Sequence, residues 1–308
     1  MSDYQDMDTV EFPLPKLAGG QQGTLSSRTQ VDLGACSHQG KVRPNNEDCF
    51  LVTRVERSLK TLLTNLPSGH IPEQQAEVAY SMLVADGMGG EAAGEVASQM
   101  AISKLVQLVL DTPDWHMRLD DVGANEVLAR FDQRFDKLRE ALVEEAQANP
   151  RLSGMGTTMT LAASHGANLI IAHVGDSRAY LFHEGQLHRL TRDQTLAQDL
   201  SEIGVIRPED VMKHPGRHIL TGVINTAPGE EAQAELHQVW LADGDQVLLC
   251  TDGLTEMVTE ATISAVLKES ASATAACRAL VELALEGGGK DNVTVVLGRY
   301  RIPPEQDG

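Results

Sequence analysis

The stretch LVADGMGGEAAGE, Leu83–Glu95, decides how the rest of the chain is read. An apolar, strand-like run ends at Asp86. Gly87, Gly89, Gly90 and Gly94 follow closely. From Glu91 to Leu110, Ala93, Val96, Ala97, Met100, Ala101, Leu105 and Leu108 share one face of a helix. A carboxylate thus closes a strand where the next backbone is almost bare. One reading is a metal ligand, with the Gly87 carbonyl as a further oxygen donor and room for a cation to come near. The other is a cradle of N–H groups for an anion at a helix start. The glycine spacing matches neither G-x-G-x-x-G nor a P-loop, and Glu91 and Glu95 stand where an anion would sit.

The same arrangement recurs along the chain. Asp252 follows a strand-like run in VLLCTDGL and is followed by Gly253; Asp176 lies just past one in IIAHVGDSR. Asp291 precedes one in GGGKDNVTVV, and Glu47 and Asp48 open one in RPNNEDCF. Each acid alone reads as a turn former or helix cap. As a set they read differently. Carboxylates brought into one small volume repel one another and destabilise the fold unless cations neutralise them. Hard divalent ions such as Mg²⁺ and Mn²⁺ prefer all-oxygen ligation of this kind.

Strand patterns fall at 30–37, 48–55, 78–86, 156–164, 167–175, 177–185, 234–241, 245–253 and 292–300, with a hairpin turn at Gly185. Helical patterns cover 91–110, 125–148, 259–270 and 271–287. Elements are grouped rather than alternating, which predicts an α+β fold: two mainly antiparallel sheets face to face, flanked by helix pairs, a four-layer α-β-β-α sandwich. Residues 1–28 read as a flexible leader, 29–302 as one domain and 303–308 as a tail. Within the domain, 56–77 read as a helical insertion and 196–222 as a small helical flap.

The chain has 308 residues and is 42% hydrophobic, ample for a core. Its net charge of −19 argues against nucleic acid and anionic membranes as partners. No run of about 18 apolar residues suggests a membrane span, and the N-terminus lacks the basic and apolar regions of a signal peptide. Cys36, Cys49, Cys250 and Cys277 are scattered with no C-x-x-C pair, which fits small core residues in a reducing compartment. The expectation is a cytoplasmic monomer.

RPNNED, VADGMGG, GMGTTMT, VGDSRAY, TDGL and GGGKDNVTVV occur in the order and rough spacing of the metal-dependent Ser/Thr protein phosphatases (the protein phosphatase 2C or PPM family), and the chain resembles its bacterial branch over roughly Gln30 to Arg301. The resemblance implies a role for each position. Asp86 would bridge two Mn²⁺ or Mg²⁺ ions, and the Gly87 carbonyl would bind one of them. Asp252 and Asp291 would ligate the other. Glu47 and Asp48 would hold metal-bound waters, and Arg43 would grip the substrate phosphate with its fork. Asp176 would help hold a third, weaker metal, and Asn292 would orient its neighbours. Two metals ~4 Å apart would, on this resemblance, supply an acidified water for attack on phosphorus in line with the leaving serine or threonine oxygen. Partners implied are phosphorylated proteins and an opposing bacterial Ser/Thr kinase. The alternative is a catalytically weak metal-binding regulator of the same fold.

Many eukaryotic members carry histidine directly after the D-G pair, where this chain has Met88, which cannot donate a proton. His214 in the flap is a candidate acid, against the plainer reading of a solvated loop histidine. His38 and His173 read as structural.

Overall fold

A computed structural model describes residues 24–67, 69–89, 93–111, 124–226 and 234–304. Among the described residues, twelve strands and seven helices follow one another as α1 (Leu25–Arg28), β1 (Gln30–His38), β2 (Asp48–Lys60), β3 (Gln74–Met88), α2 (Ala93–Leu110), α3 (Ala124–Ala148), β4 (Gly156–Thr157), β5 (Met159–His165), β6 (Asn168–Val174), β7 (Arg178–His183), β8 (Gln186–Arg189), α4 (Leu196–Glu202), β9 (Ile224–Asn225), β10 (Glu235–Trp240), β11 (Gln246–Cys250), α5 (Asp252–Thr255), α6 (Glu260–Glu269), α7 (Ala273–Glu286) and β12 (Val293–Arg301).

One sheet runs β1-β12-β11-β7-β8, the other β10-β6-β5-β3-β4-β9 with β2 also on β3. Every pairing is antiparallel. The two-residue period of the strands sorts side chains into layers. Met82 and Val84 of β3 meet Val247 and Leu249 of β11 between the sheets. Leu83 and Ala85 point the other way, onto Ala97, Ala101 and Leu105 of α2 and Phe131 and Phe135 of α3. Leu248 and Cys250 pack outward on Ala276, Cys277 and Leu280 of α7. Three apolar layers separate four layers of secondary structure, the α-β-β-α sandwich expected from element order.

Two boundaries need correction. Residues 56–77 are not a helical insertion. β2 runs on to Lys60 and β3 starts at Gln74, paired in register from Asp48↔Asp86 out to Lys60↔Gln74. Thr61 N then donates to Glu73 O at 2.9 Å. Leu59, Leu62, Leu63 and Leu66 have helical spacing, but no surface receives such a face: Leu62 is 80% and Leu63 96% exposed. The continuing ladder satisfies the backbone instead. The leader also ends earlier than 28. Thr24 Oγ1 accepts from Ser27 N at the start of α1 and donates to Ala76 O at 2.7 Å. Val78 N donates to Ser26 Oγ. Residues 1–23 of the leader and 305–308 of the tail lie outside the described residues. The stretch 196–222 holds α4 and two 3-10 turns, Pro208–Lys213 and Pro215–His218.

Candidate active site

The acids meet where strands of both sheets end. Asp48 opens β2 directly opposite Asp86 near the end of β3. Asp252 follows β11 and Asp291 precedes the neighbouring β12. Asp176 sits in the β6–β7 turn. Burial, then the charges of Asp48, Asp252, Asp176 and Asp291, push the Asp86 carboxyl well above the usual range. Burial, then Asp176, Asp291, Glu256 and Asp48, do the same to Asp252. Asp48 is pushed up to about 7 by burial, against hydrogen bonds from Thr294 and Thr251. Asp176 reaches about 7 through burial and the charge of Asp193. Glu47 is raised by burial, partly offset by Arg43. Five aspartates far apart in the chain thus act on one another across one pocket.

Main-chain geometry explains Gly87 and Gly94. Asp86 is held at both ends of its peptide: its N–H donates to Thr158 Oγ1 at 3.0 Å, and its carbonyl accepts from Thr158 N and Thr157 Oγ1, both at 2.9 Å. Gly87 N donates to Glu47 O at 3.2 Å. A Cβ on Gly87 would overlap the Gly94 carbonyl, and one on Gly94 would press on the Glu47 carboxylate. Only bare backbone lets α2 start this close to β3 and the Glu47 loop.

The remaining positions fall in two groups. Asn292 is buried and ties the Glu47 loop down. Its Oδ1 accepts from Glu47 N at 2.8 Å, and its Nδ2 donates to Gln39 O at 2.9 Å and Asn45 O at 2.7 Å. Arg43 is different. Its side chain is 53% exposed and bonds Asp291 Oδ2 at 2.6 Å, so the guanidinium sits at the pocket mouth on a carboxylate.

Several supporting groups lie outside the candidate residues. Thr251 Oγ1 donates to Asp48 Oδ2 at 2.8 Å and accepts from Thr294 N at 3.0 Å. Ser98 Oγ donates to Glu47 O at 2.7 Å. Thr158 Oγ1 lies 3.0 Å from Ser177 Oγ beside Asp176. The available signal was a hydroxyl residue beside two of the acids, Ser177 after Asp176 and Thr251 before Asp252, with Thr294 three residues past Asp291. The flap histidine beside the floor is His218, not His214, whose Nδ1 accepts from Gly216 N in a local turn. His173 is buried between Thr160 Oγ1 and Arg192 O, and burial lowers it to about 4. His38 Nδ1 accepts from Gly40 N at 2.9 Å.

Cations fit this pocket on its own geometry. Asp48 Oδ1 and Asp252 Oδ1 are shut off from solvent without a hydrogen-bond partner. A buried anionic oxygen left so is costly unless an electrophile sits against it. The donors are oxygens throughout, the set that suits Mg²⁺ or Mn²⁺.

The family model of protein phosphatase 2C matches residues 70–286. The chain belongs to the protein phosphatase 2C family. Serine/threonine protein phosphatase PstP of Mycobacterium tuberculosis is 40% identical over 219 residues, covering 71% of this chain. This 2C-family chain spans only 40% of the length of that relative. Serine/threonine phosphatase stp of Listeria monocytogenes is 36% identical over 218 residues, 70% of this chain and 82% of its own. Among solved structures, the PstP catalytic domain in complex with two manganese ions superposes with a TM-score of 0.68 at 34% identity, covering 89% of this chain and 99% of that one. The Streptococcus agalactiae serine/threonine phosphatase gives 0.71 at 28% identity, covering 89% and 100%.

Proposed function

We propose that this 2C-family chain hydrolyses phosphoserine and phosphothreonine in proteins with the help of Mn²⁺ or Mg²⁺. The observation that carries this reading is the convergence of Asp48, Asp86, Asp176, Asp252 and Asp291 with two buried, unpartnered carboxylate oxygens among them. Asp86, the Gly87 carbonyl, Asp252 and Asp291 would hold two cations, with Glu47 and Asp48 on their water ligands and Asp176 toward a third. When bound, such ions supply Lewis acidity toward phosphoryl oxygens and bring the pKa of water near neutrality.

The chain's own residues do the rest. Arg43 is exposed enough to exchange Asp291 for a substrate phosphate, and its planar fork matches two phosphoryl oxygens. Asn292 and Ser98 fix Glu47 through its backbone, and Thr251 fixes the Asp48 carboxylate, so the acidic floor does not reorganise as charge moves. Met88 gives no proton to the leaving oxygen. The flap presents exposed Ile203, Val205, Met212 and Ile219, apolar surface suited to a peptide flanking the phosphorylated residue. Four free cysteines suit a reducing compartment such as the cytoplasm, where a Ser/Thr kinase would be the opposing partner of such an activity.

The test is phosphate release from a phosphothreonine peptide. Release with Mn²⁺ that stops on adding EDTA supports the proposal. No metal-dependent release from either phosphothreonine or phosphoserine peptides overturns it and favours the metal-binding regulator.

A further inference from the structure

A second set of atoms spaced for a cation lies at the edge of the acidic floor. His218, Asp252 and Glu256 each offer one ligand atom, all within 4.8 Å of one another. Two elements bring them together. Asp252 and Glu256 are four residues apart on one turn, where Glu256 N donates to Asp252 O at 2.9 Å, so their side chains share a face. His218 ends the last 3-10 turn of the flap, with Nδ1 3.2 Å from Glu256 Oε1. The flap is clamped just beyond it. Thr195 bridges Leu220, Leu196 N donates to Ile219 O at 2.8 Å, and Thr221 N donates to Gln194 O at 2.8 Å. His218 therefore reaches the floor from a fixed base.

The charge in this corner is poorly compensated. Asp252 Oδ1 is inaccessible and unpartnered, the Glu256 side chain is only 16% exposed, and Arg217 Nε approaches Glu256 no nearer than 3.8 Å. An imidazole beside two such carboxylates is a ligand set that a bare acidic cluster lacks.

We propose that His218, Asp252 and Glu256 bind a divalent transition-metal ion that pins the flap to the acidic floor. One imidazole nitrogen with two carboxylates suits Mn²⁺ or Zn²⁺. Mg²⁺ holds its waters and prefers oxygen alone, so it fills this set poorly. The site borrows Asp252 from the centre described above and rests on that reading for this ligand only. Its other two ligands, His218 and Glu256, are residues to which that reading gives no part. The position of the flap, and with it the peptide surface it offers, then depends on which metal is present.

The test reads flap protection and metal stoichiometry in the full chain. The flap carries Lys213, followed by His214, as an exposed trypsin site. Saturating Mn²⁺ should slow cleavage there on the order of tenfold relative to Mg²⁺, which corresponds to about 1.4 kcal/mol of added closure. His218→Ala and Glu256→Gln should each abolish the Mn²⁺-specific protection. Each should also remove one Mn²⁺ site by calorimetry while Mg²⁺ binding persists. If both variants keep the wild-type Mn²⁺ stoichiometry and protection, His218 and Glu256 form an ordinary hydrogen bond and the inference fails alone. If the wild type binds neither Mn²⁺ nor Mg²⁺, the phosphatase reading falls with it.

Discussion

The two ends of the β2–β3 hairpin share one uninterrupted ladder and have opposite environments. At the inner end Asp48 faces Asp86 among Thr251, Thr158, Asn292 and Ser98, and nearly every polar group is fixed. At the outer end Leu59, Leu62 and Leu63 stand in solvent, and the strands have little beyond each other and α1. Backbone pairing is the same at both ends. What differs is the packing around it. The inner end uses two flanking sheets and α2 to hold like charges together. The outer end concentrates no charge and is held by nothing so elaborate. Stored electrostatic cost therefore marks the functional end, and its release should be measurable.

The largest effect is expected at Asp86. Asp86→Asn keeps the shape and the main-chain bonds to Thr157 and Thr158 but removes the most crowded charge. Turnover should fall by more than about 10³-fold, the scale of losing a principal electrostatic element. In EDTA the same variant should melt at a higher temperature than wild type, because an uncompensated buried charge is gone. A lower melting temperature in EDTA would mean that Asp86 is stabilised by its surroundings and that the inner end stores no such cost.

A pH series tests the same contrast without mutation. In chelated protein, Asp48 and Asp176 take up protons near pH 7 when folded and near 4 when unfolded. Between those values the folded state binds more protons. Stability must then fall as pH rises from about 4 to 7 and stay low above it. Buried His173, lowered to about 4, works the other way between about 4 and 6.5, but it is one group against several. The net expectation is a lower melting temperature at pH 8 than at pH 5 in EDTA. Mn²⁺ at 100-fold over its Kd should restore about 2.7 kcal/mol at pH 8 and less at pH 5, where protons compete. An equal gain at both pH values would separate metal binding from these carboxylates.

Much of the inner end was legible and the outer end was not, for one physical reason. β3 is apolar without a break over Met82–Ala85 because two cores lie on its two faces, and that pattern is local. Helices α2, α3, α6 and α7 announce themselves by their apolar faces in the same way. The gathering of the acids is non-local, and it could be anticipated only because six short motifs occur in a known order. Thr158 interrupts what reads as one strand into β4 and β5 because its own groups serve Asp86, which no local pattern carries. Arg43 was expected to await phosphate, yet it rests on Asp291, a pairing across 248 residues of sequence. At the outer end the leucine spacing favoured a helix, and only the partner strand overrides it.

The smallest effect should come from that outer end. Leu62→Ser with Leu63→Ser replaces two side chains that touch almost nothing in the folded chain. Residues so exposed contribute within about ±0.5 kcal/mol, so the melting temperature should barely move. Hydrolysis of a short phosphothreonine peptide should be unchanged, because no acidic group of the pocket lies on this part of the ribbon. Two leucines exposed just past the end of the ladder do cost solubility, since they form an apolar tip. The double variant should therefore stay in solution at higher protein concentration, read by light scattering. A marked fall in melting temperature would show that the tip packs against part of its own chain, and the two ends of the hairpin would then differ less than their environments indicate.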